Sequence, residues 1–271
     1  MVLKRNRGKG ILQVTMNPKK AEHCMVCGSP LEYLQQSEQL ACSSCGNREG
    51  ASIKCPQGHF VCEACHSRDS RKMIEDITFT TQLKDPIEIA ELMMSHPALP
   101  MLGCEHAFIA AGALLAALRN SPYAKVTNQD IHEVFDRTKK QAVGGYCGLT
   151  GVCGIAPAVG ACFSVFLGSR CGSDTEQKIT MDAVIKVSQG IADLTGPSCC
   201  KAYVRSALAA AAAIFADRFG IVFPVARVSI VCEDSSRHPH GCREEKCPYY
   251  HKPSRDIFTD TINMSATVCR S

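Results

Sequence analysis

Four short pairs of metal-type ligands crowd into the first quarter of the chain: Cys24-x2-Cys27, Cys42-x2-Cys45, Cys55-x3-His59 and Cys62-x2-Cys65. A two-residue gap lets both thiolates of a pair reach one ion at about 2.3 Å, and four pairs supply ligands for two tetrahedral zinc sites. Gly28, Gly46 and Gly58 stand where the backbone must turn tightly behind the ligands. Two pairings satisfy the spacing. Cys24/Cys27 with Cys42/Cys45 makes a zinc ribbon, whereas joining alternate pairs makes an interleaved cross-brace. His66 competes with His59 as the eighth ligand, although the loop Cys55-Pro-Gln-Gly-His59 offers the better geometry. So few aliphatic residues accompany these ligands that the segment must owe much of its fold to metal. Closed four-coordinate sites also leave no position for chemistry, so the segment reads as a scaffold.

These ligands belong to a larger excess, 18 Cys in 271 residues. Hydrophobic residues make up 45% and charged residues 21% of the chain, a composition that folds. The net charge of +4 is too small to require a nucleic-acid partner by itself. The segment Met1–Lys20 is basic and has no apolar run of secretory type, so the protein is expected in the cytoplasm. Disulfides are rare in that reducing compartment, which turns clustered cysteines toward metal binding or thiol chemistry. Ala107–Leu118 and Ala207–Ala216 fall short of the roughly 20 residues that span a bilayer, and are expected as core helices without membrane contact.

The expected fold class is mainly α: a helical body joined to a small N-terminal zinc-ribbon-like or cross-brace module. Residues 1–20 read as a basic tail, 21–70 as the two-zinc module, and 71–271 as a cysteine-rich helical domain ending in a metal-like loop. Six helices are expected in the body. Pro86–Met94 opens on proline, and Cys104–Arg119 is apolar almost all round, as a central helix would be. Thr127–Lys140 starts with a capping residue and an acidic turn and ends in lysines. Ala156–Leu167, Thr180–Leu194 and Cys199–Phe219 complete the set, the last capped by Ser198 and stopped at Gly220. Ile221–Val231 is β-branched and reads as a short edge strand around Pro224.

Three thiol motifs lie in the body. Gly144-Gly-Tyr-Cys147-Gly-Leu-Thr-Gly-Val-Cys153-Gly154 surrounds two cysteines with glycines, whose bare backbone can cradle a cluster or an anion. It lacks the Gly-Lys-Ser/Thr of a phosphate loop. Gly196-Pro-Ser-Cys199-Cys200-Lys201 puts adjacent cysteines at a helix N-terminus, where the dipole and nearby cations favour a thiolate as nucleophile or ligand. Cys232-x9-Cys242-x4-Cys247-Pro248-x2-His251 offers three thiols to a 4Fe–4S cluster, with Cys147, Cys153 or Cys199 as a fourth, or a Cys3His set to zinc. Cys199 and Cys200 are the candidate catalytic thiols, and Cys147, Cys153, Cys232, Cys242 and Cys247 the candidate cluster ligands. Cys104-Glu105-His106 opens the central helix with groups capable of acid–base work or simply of capping it. Cys104, Cys162, Cys171 and Cys269 read as packing thiols.

The motifs CPQGHFVCEACH (Cys55–His66), GGYCGLTGVCG (Gly144–Gly154), GPSCCK (Gly196–Lys201) and CREEKCPYY (Cys242–Tyr250) resemble an uncharacterised cysteine-rich domain family of anaerobic bacteria and archaea. Its members occur alone or beside radical-SAM and methyltransferase modules. The resemblance implies an anaerobic metal-thiolate setting, with such an enzyme as partner, and brings no activity with it. A second resemblance is to the helical domains of iron–sulfur serine dehydratases and cysteine desulfidases. It implies Cys232, Cys242 and Cys247 as cluster ligands and an open iron acting as Lewis acid on a substrate hydroxyl or thiol. The motif spacing and the doubled Cys199-Cys200 depart from those enzymes.

Together these features describe a cytoplasmic metalloprotein with structural zinc and an iron–sulfur or reactive-thiolate site that handles sulfur, electrons or a small polar substrate. The alternative is a binding module in which the zinc segment and a basic tail (Lys4, Arg5, Arg7, Lys9, Lys19, Lys20) contact RNA or a partner enzyme. A chain without Trp has few stacking platforms for nucleic acid.

Overall fold

The computed structural model describes residues 2–4, 13–15, 24, 26–97, 99–194, 196–224 and 230–250. Cys269 and the tail cations Arg5, Arg7, Lys9, Lys19 and Lys20 lie outside them. Two short strands, β1 (Val2–Lys4) and β2 (Gln13–Thr15), pair antiparallel. A second hairpin, β3 (Glu32–Ala41) and β4 (Arg48–Lys54), runs antiparallel from Ala41↔Arg48 to Glu32↔Lys54, with a register shift between Tyr33 and Glu38. Sequence reading anticipated no such hairpin. Its strands lack apolar alternation: β3 has no buried residue, and in β4 Ala51 is the buried one. What closes the hairpin is the loop of Cys42 to Cys45, where Gly46 at φ +74° donates its N–H to Cys42 O.

A single turn, α1 (Glu63–His66), leads into the helical body: α2 (Arg68–Thr80), α3 (Pro86–Met94), α4 (Glu105–Arg119), α5 (Asn128–Gln141), the short α6 (Cys147–Thr150), α7 (Ile155–Leu167), α8 (Thr175–Asp193) and α9 (Cys200–Phe219). The mainly helical fold expected from sequence is the fold observed. Local chemistry sets the boundaries. The Asp85 carboxylate accepts from Ile87 N at 2.8 Å before Pro86 opens α3. Thr127 and Asp130 form a reciprocal capping box on α5. Gly168 and Gly220, both left-handed, end α7 and α9.

Helix α4 is the axis of the body. Every one of its residues except Arg119 is buried, and α2, α3, α5, α7 and α9 pack around it. Gly112 gives α2 its closest approach, since a Cβ there would collide with the Thr78 hydroxyl. Phe163 and Phe215 stack at 4.5 Å, and Phe166, Phe219 and Phe223 extend the cluster at the far end of α9.

Four expectations change. Ser198 does not cap α9, whose N-cap position is Cys199 with no side-chain hydrogen bond. Helix α2 is absent from the sequence reading because its residues are highly charged, yet Ser70, Met73, Ile74 and Thr78 form a buried stripe at helical spacing. Helix α8 begins at Thr175; Thr180 lies within it, donating its hydroxyl proton to Glu176 O. The strand expected over 221–231 is not formed at 221–224 or 230–231, and 225–229 lie outside the described residues. Past Gly220 the chain turns back, with Ile221 N bonding Phe215 O and with Ile221 and Phe223 buried in the core. Among the described residues no helix is long and apolar enough to cross a membrane.

Candidate metal centres

The N-terminal ligands form two groups of four, Cys24, Cys27, Cys55 and His59 in one and Cys42, Cys45, Cys62 and Cys65 in the other. In each group all ligand atoms lie within 4.8 Å of one another, and either group can hold a metal ion. First pair joins third and second joins fourth, so the arrangement is the cross-brace. Cys27 Sγ is 3.5 Å from Cys55 Sγ, which is 3.8 Å from His59 Nδ1, and Cys45 Sγ is 3.6 Å from Cys62 Sγ. The backbone prepares the sulfurs for negative charge: Val26, Ser44 and Gln57 donate their N–H groups to Cys24, Cys42 and Cys55, and Cys62 N adds a second donor to Cys42. Hydrogen bonds from Ser29 bring Cys27 down to about 6, and the Cys62 N–H does the same for Cys42. His66 is not in either group; its Nδ1 faces Glu105 Oε1 at 3.6 Å.

In the body, the segment 230–250 folds over the start of α9. Cys232 N bonds Tyr249 O at 2.8 Å, and Cys232 bridges in parallel to Tyr250. A cavity results, lined by Cys199, Cys232, Cys242 and Cys247 together with Arg205, Asp234, His238 and Arg243. Cys199, the residue before α9, thus joins the three loop cysteines, as one of the fourth-ligand options anticipates. Its sulfur takes a hydrogen bond from Ala202 N–H, that of Cys247 from Tyr249 N–H, and that of Cys242 from Glu244 N at 3.3 Å. Glu244 adopts φ +49°, a left-handed conformation uncommon for a non-glycine residue, and it is this turn that aims its N–H at Cys242.

The cations around the cavity are held by the fold. Arg205 makes a two-pronged ion pair with Glu91 at 2.6 and 2.8 Å, and Lys201 Nζ bonds Asp234 at 2.6 Å and Met94 O at 2.9 Å. Arg243 bonds Pro197 O through Nη2 at 2.8 Å, but its buried Nε and Nη1 have no hydrogen-bond partner among the described residues. Burial raises the Cys199 and Cys247 thiols, and the Arg243 charge opposes that rise at both. Glu91 and Asp234 thus pair Arg205 and Lys201, which leaves Arg243 as the lining cation without a carboxylate partner among the described residues.

Cys147, Cys153 and Cys200 are not in this cavity. Burial raises the thiol of Cys200, which opens α9, and the Gly103 N–H opposes that rise. Cys104, which immediately precedes α4, is half-buried and packed against the core, as expected of a packing thiol. Burial pushes its thiol up to about 12. Cys162 is a packing thiol, fully buried with Sγ 3.7 Å from Ala111 O, and Cys171 is exposed.

Residues 74–250 match the family of unknown function DUF5714. No curated protein and no solved structure matches the chain. The cavity cysteines and Cys147, Cys153 and Cys200 fall inside the matched span, and the eight N-terminal ligands precede it, including the CPQGHFVCEACH motif.

Proposed function

The chain belongs to the family of unknown function DUF5714, and from that premise we propose that it is a cytoplasmic electron-transfer metalloprotein, with zinc in its N-terminal cross-brace and a 4Fe–4S cluster in the cavity of Cys199, Cys232, Cys242 and Cys247. Zinc suits the tetrads because thiolate and imidazole ligands in closed sets of four are its structural coordination. The observation that carries the cluster assignment is the meeting of Cys199 with three loop cysteines in one cavity beside the incompletely paired Arg243. Four thiols make the full complement for a 4Fe–4S cluster and leave no iron open, which favours electron transfer over Lewis-acid chemistry on a substrate. Arg243 and the backbone N–H donors to the sulfurs would then set the cluster's potential. In this reading the partner is a redox enzyme, and a radical-SAM or methyltransferase protein fits the resemblance of the motifs.

Anaerobic purification with iron, zinc and labile-sulfide analysis and an absorption spectrum tests this. The expected result is about two zinc per chain together with iron and sulfide, and loss of iron and visible absorption at this cavity in Cys242→Ser. Zinc alone after attempted iron–sulfur reconstitution would overturn it.

A further inference from the structure

We infer that metal bound by Cys42, Cys45, Cys62 and Cys65 latches the N-terminal module to the helical body. It does so by holding His66 against Glu105, so that occupancy of this tetrad controls the order of the first turn of α4 and of the neighbouring glycine-rich loop. The inference rests on the metal reading of this tetrad and is independent of the cluster in the cavity. The device is the single turn α1. Cys62 immediately precedes it and Cys65 is its third residue, so two ligands of one ion bracket the turn. Glu63 and His66, three residues apart, share another face of the same turn, and that face meets the body.

Each contact is specific. His66 Nδ1 is 3.6 Å from Glu105 Oε1, in the first turn of α4. Arg71 Nη2 donates to Glu63 Oε1 at 3.5 Å, and the Arg71 guanidinium lies over the Phe108 ring of α4, 4.3 Å from its centroid. The other oxygen of Glu63 reaches the glycine-rich loop, where a Cβ on Gly144 would stand 3.2 Å from it. On the module side, Glu63 N donates to Glu49 Oε1 of β4 at 3.0 Å and Cys62 N to Cys42 Sγ at 3.3 Å. The first tetrad has no such tie. Among the described residues, the hydrogen bonds of Cys24, Cys27, Cys55 and His59 stay within the module.

The two partners of the latch are held by different forces. Glu105 is 1% exposed, and α4 is enclosed by α2, α3, α5, α7 and α9, so its carboxylate stays buried whatever the module does. Neither of its oxygens makes a hydrogen bond among the described residues, and His66 is the group that forms an ion pair with it. His66 stands on a turn of four residues, too short to hold its own shape in water. The tetrad fixes that turn, with Cys45 Sγ 3.6 Å from Cys62 Sγ. Loss of the metal therefore withdraws His66 from a carboxylate that cannot follow it, and removing one partner of such a pair costs more than the pair itself contributes. The cost falls on the first turn of α4, where His106 N and Ala107 N bond Gly103 O and Cys104 O, and on the loop at Gly144, while the core beneath keeps its packing.

The test is amide hydrogen exchange over residues 103–110 in the full chain loaded with zinc, set against two double variants and one single. Cys42→Ser with Cys45→Ser empties the second tetrad, Cys24→Ser with Cys27→Ser empties the first, and His66→Ala cuts the contact while leaving every ligand in place. Zinc analysis and far-ultraviolet circular dichroism show which ions remain and that the helices are intact. Emptying the second tetrad should speed exchange over 103–110 about tenfold and leave the interior of α9 protected, whereas emptying the first should change neither. His66→Ala should reproduce the faster exchange with the zinc content of the unaltered chain. Equal speeding by both double variants, or unchanged exchange when the second tetrad is empty, would overturn the latch, and so would loss of zinc in His66→Ala. A chain that takes up no zinc overturns the metal reading of the module and the latch with it, whereas zinc uptake with unchanged exchange overturns the latch alone.

Discussion

In the N-terminal module, β3 and β4 bury little besides Ala51, and eight ligands close on two points at separations below 4.8 Å. In the helical body the interior is Ala, Leu, Ile, Val and Phe around α4, and the cavity cysteines sit at its edge, Cys199 just before α9 and Cys232, Cys242 and Cys247 in the segment that follows that helix. The same residue type therefore does two jobs. In the module, two ligand sets that could hold metal stand where an apolar core is missing; in the body, an apolar core fixes where the thiols lie. The family match has a similar boundary, covering the cavity cysteines of the body and starting beyond the module.

That contrast can be broken most forcefully by removing metal. Stripping the module with a chelator should forfeit at least about 10 kcal/mol of binding free energy per site and open residues 24–66 to protease, while the main thermal transition of the body persists. A body that melts together with the module would end the distinction. The cross-brace makes a sharper demand: in cobalt-substituted protein, Cys27→Ser and Cys55→Ser should abolish the same thiolate absorption, and Cys45→Ser a different one.

The converse experiment strikes the body. Phe215 is fully buried and contacts Phe163, Phe166 and Phe219, so Phe215→Ala should cost about 3–5 kcal/mol, read as a lower denaturant midpoint with both module metals retained. A smaller change measures how tightly the helices meet. A Cβ at Gly160 would lie 2.5 Å from Val184 Cγ2 across the α7–α8 contact. Gly160→Ala should therefore destabilise by about 1 kcal/mol, the overpacking outweighing the gain in helix propensity. A stabilised variant would mean that α8 moves aside at little cost, and that the body is more loosely packed than its buried interior suggests.

Helices α3 and α5 were legible because their caps are local: Asp85 with Pro86, and Thr127 with Asp130. Helix α4 was legible from an apolar run too short for a membrane and too uniform for a surface. Helix α2 escaped because its stripe of Ser70, Met73, Ile74 and Thr78 is embedded in charge. The meeting of Cys199 with Cys232, Cys242 and Cys247 stayed one option among several for a different reason: more than thirty residues separate Cys199 from Cys232.

Sequence alone determined that eight ligands in closely spaced pairs occupy residues 24–65, because a Cys-x2-Cys knuckle is completed by the turn that follows it and needs no distant partner. It also determined that the remainder is helical, through caps and apolar runs. Tertiary structure decided which knuckles share an ion and that Cys199 and Cys200 part company. It also decided that Cys199 lines one cavity with Cys232, Cys242 and Cys247, since those relations depend on how the helices and the segment 230–250 pack. Side-chain burial over the whole body fixes that packing, and no local run of residues encodes it.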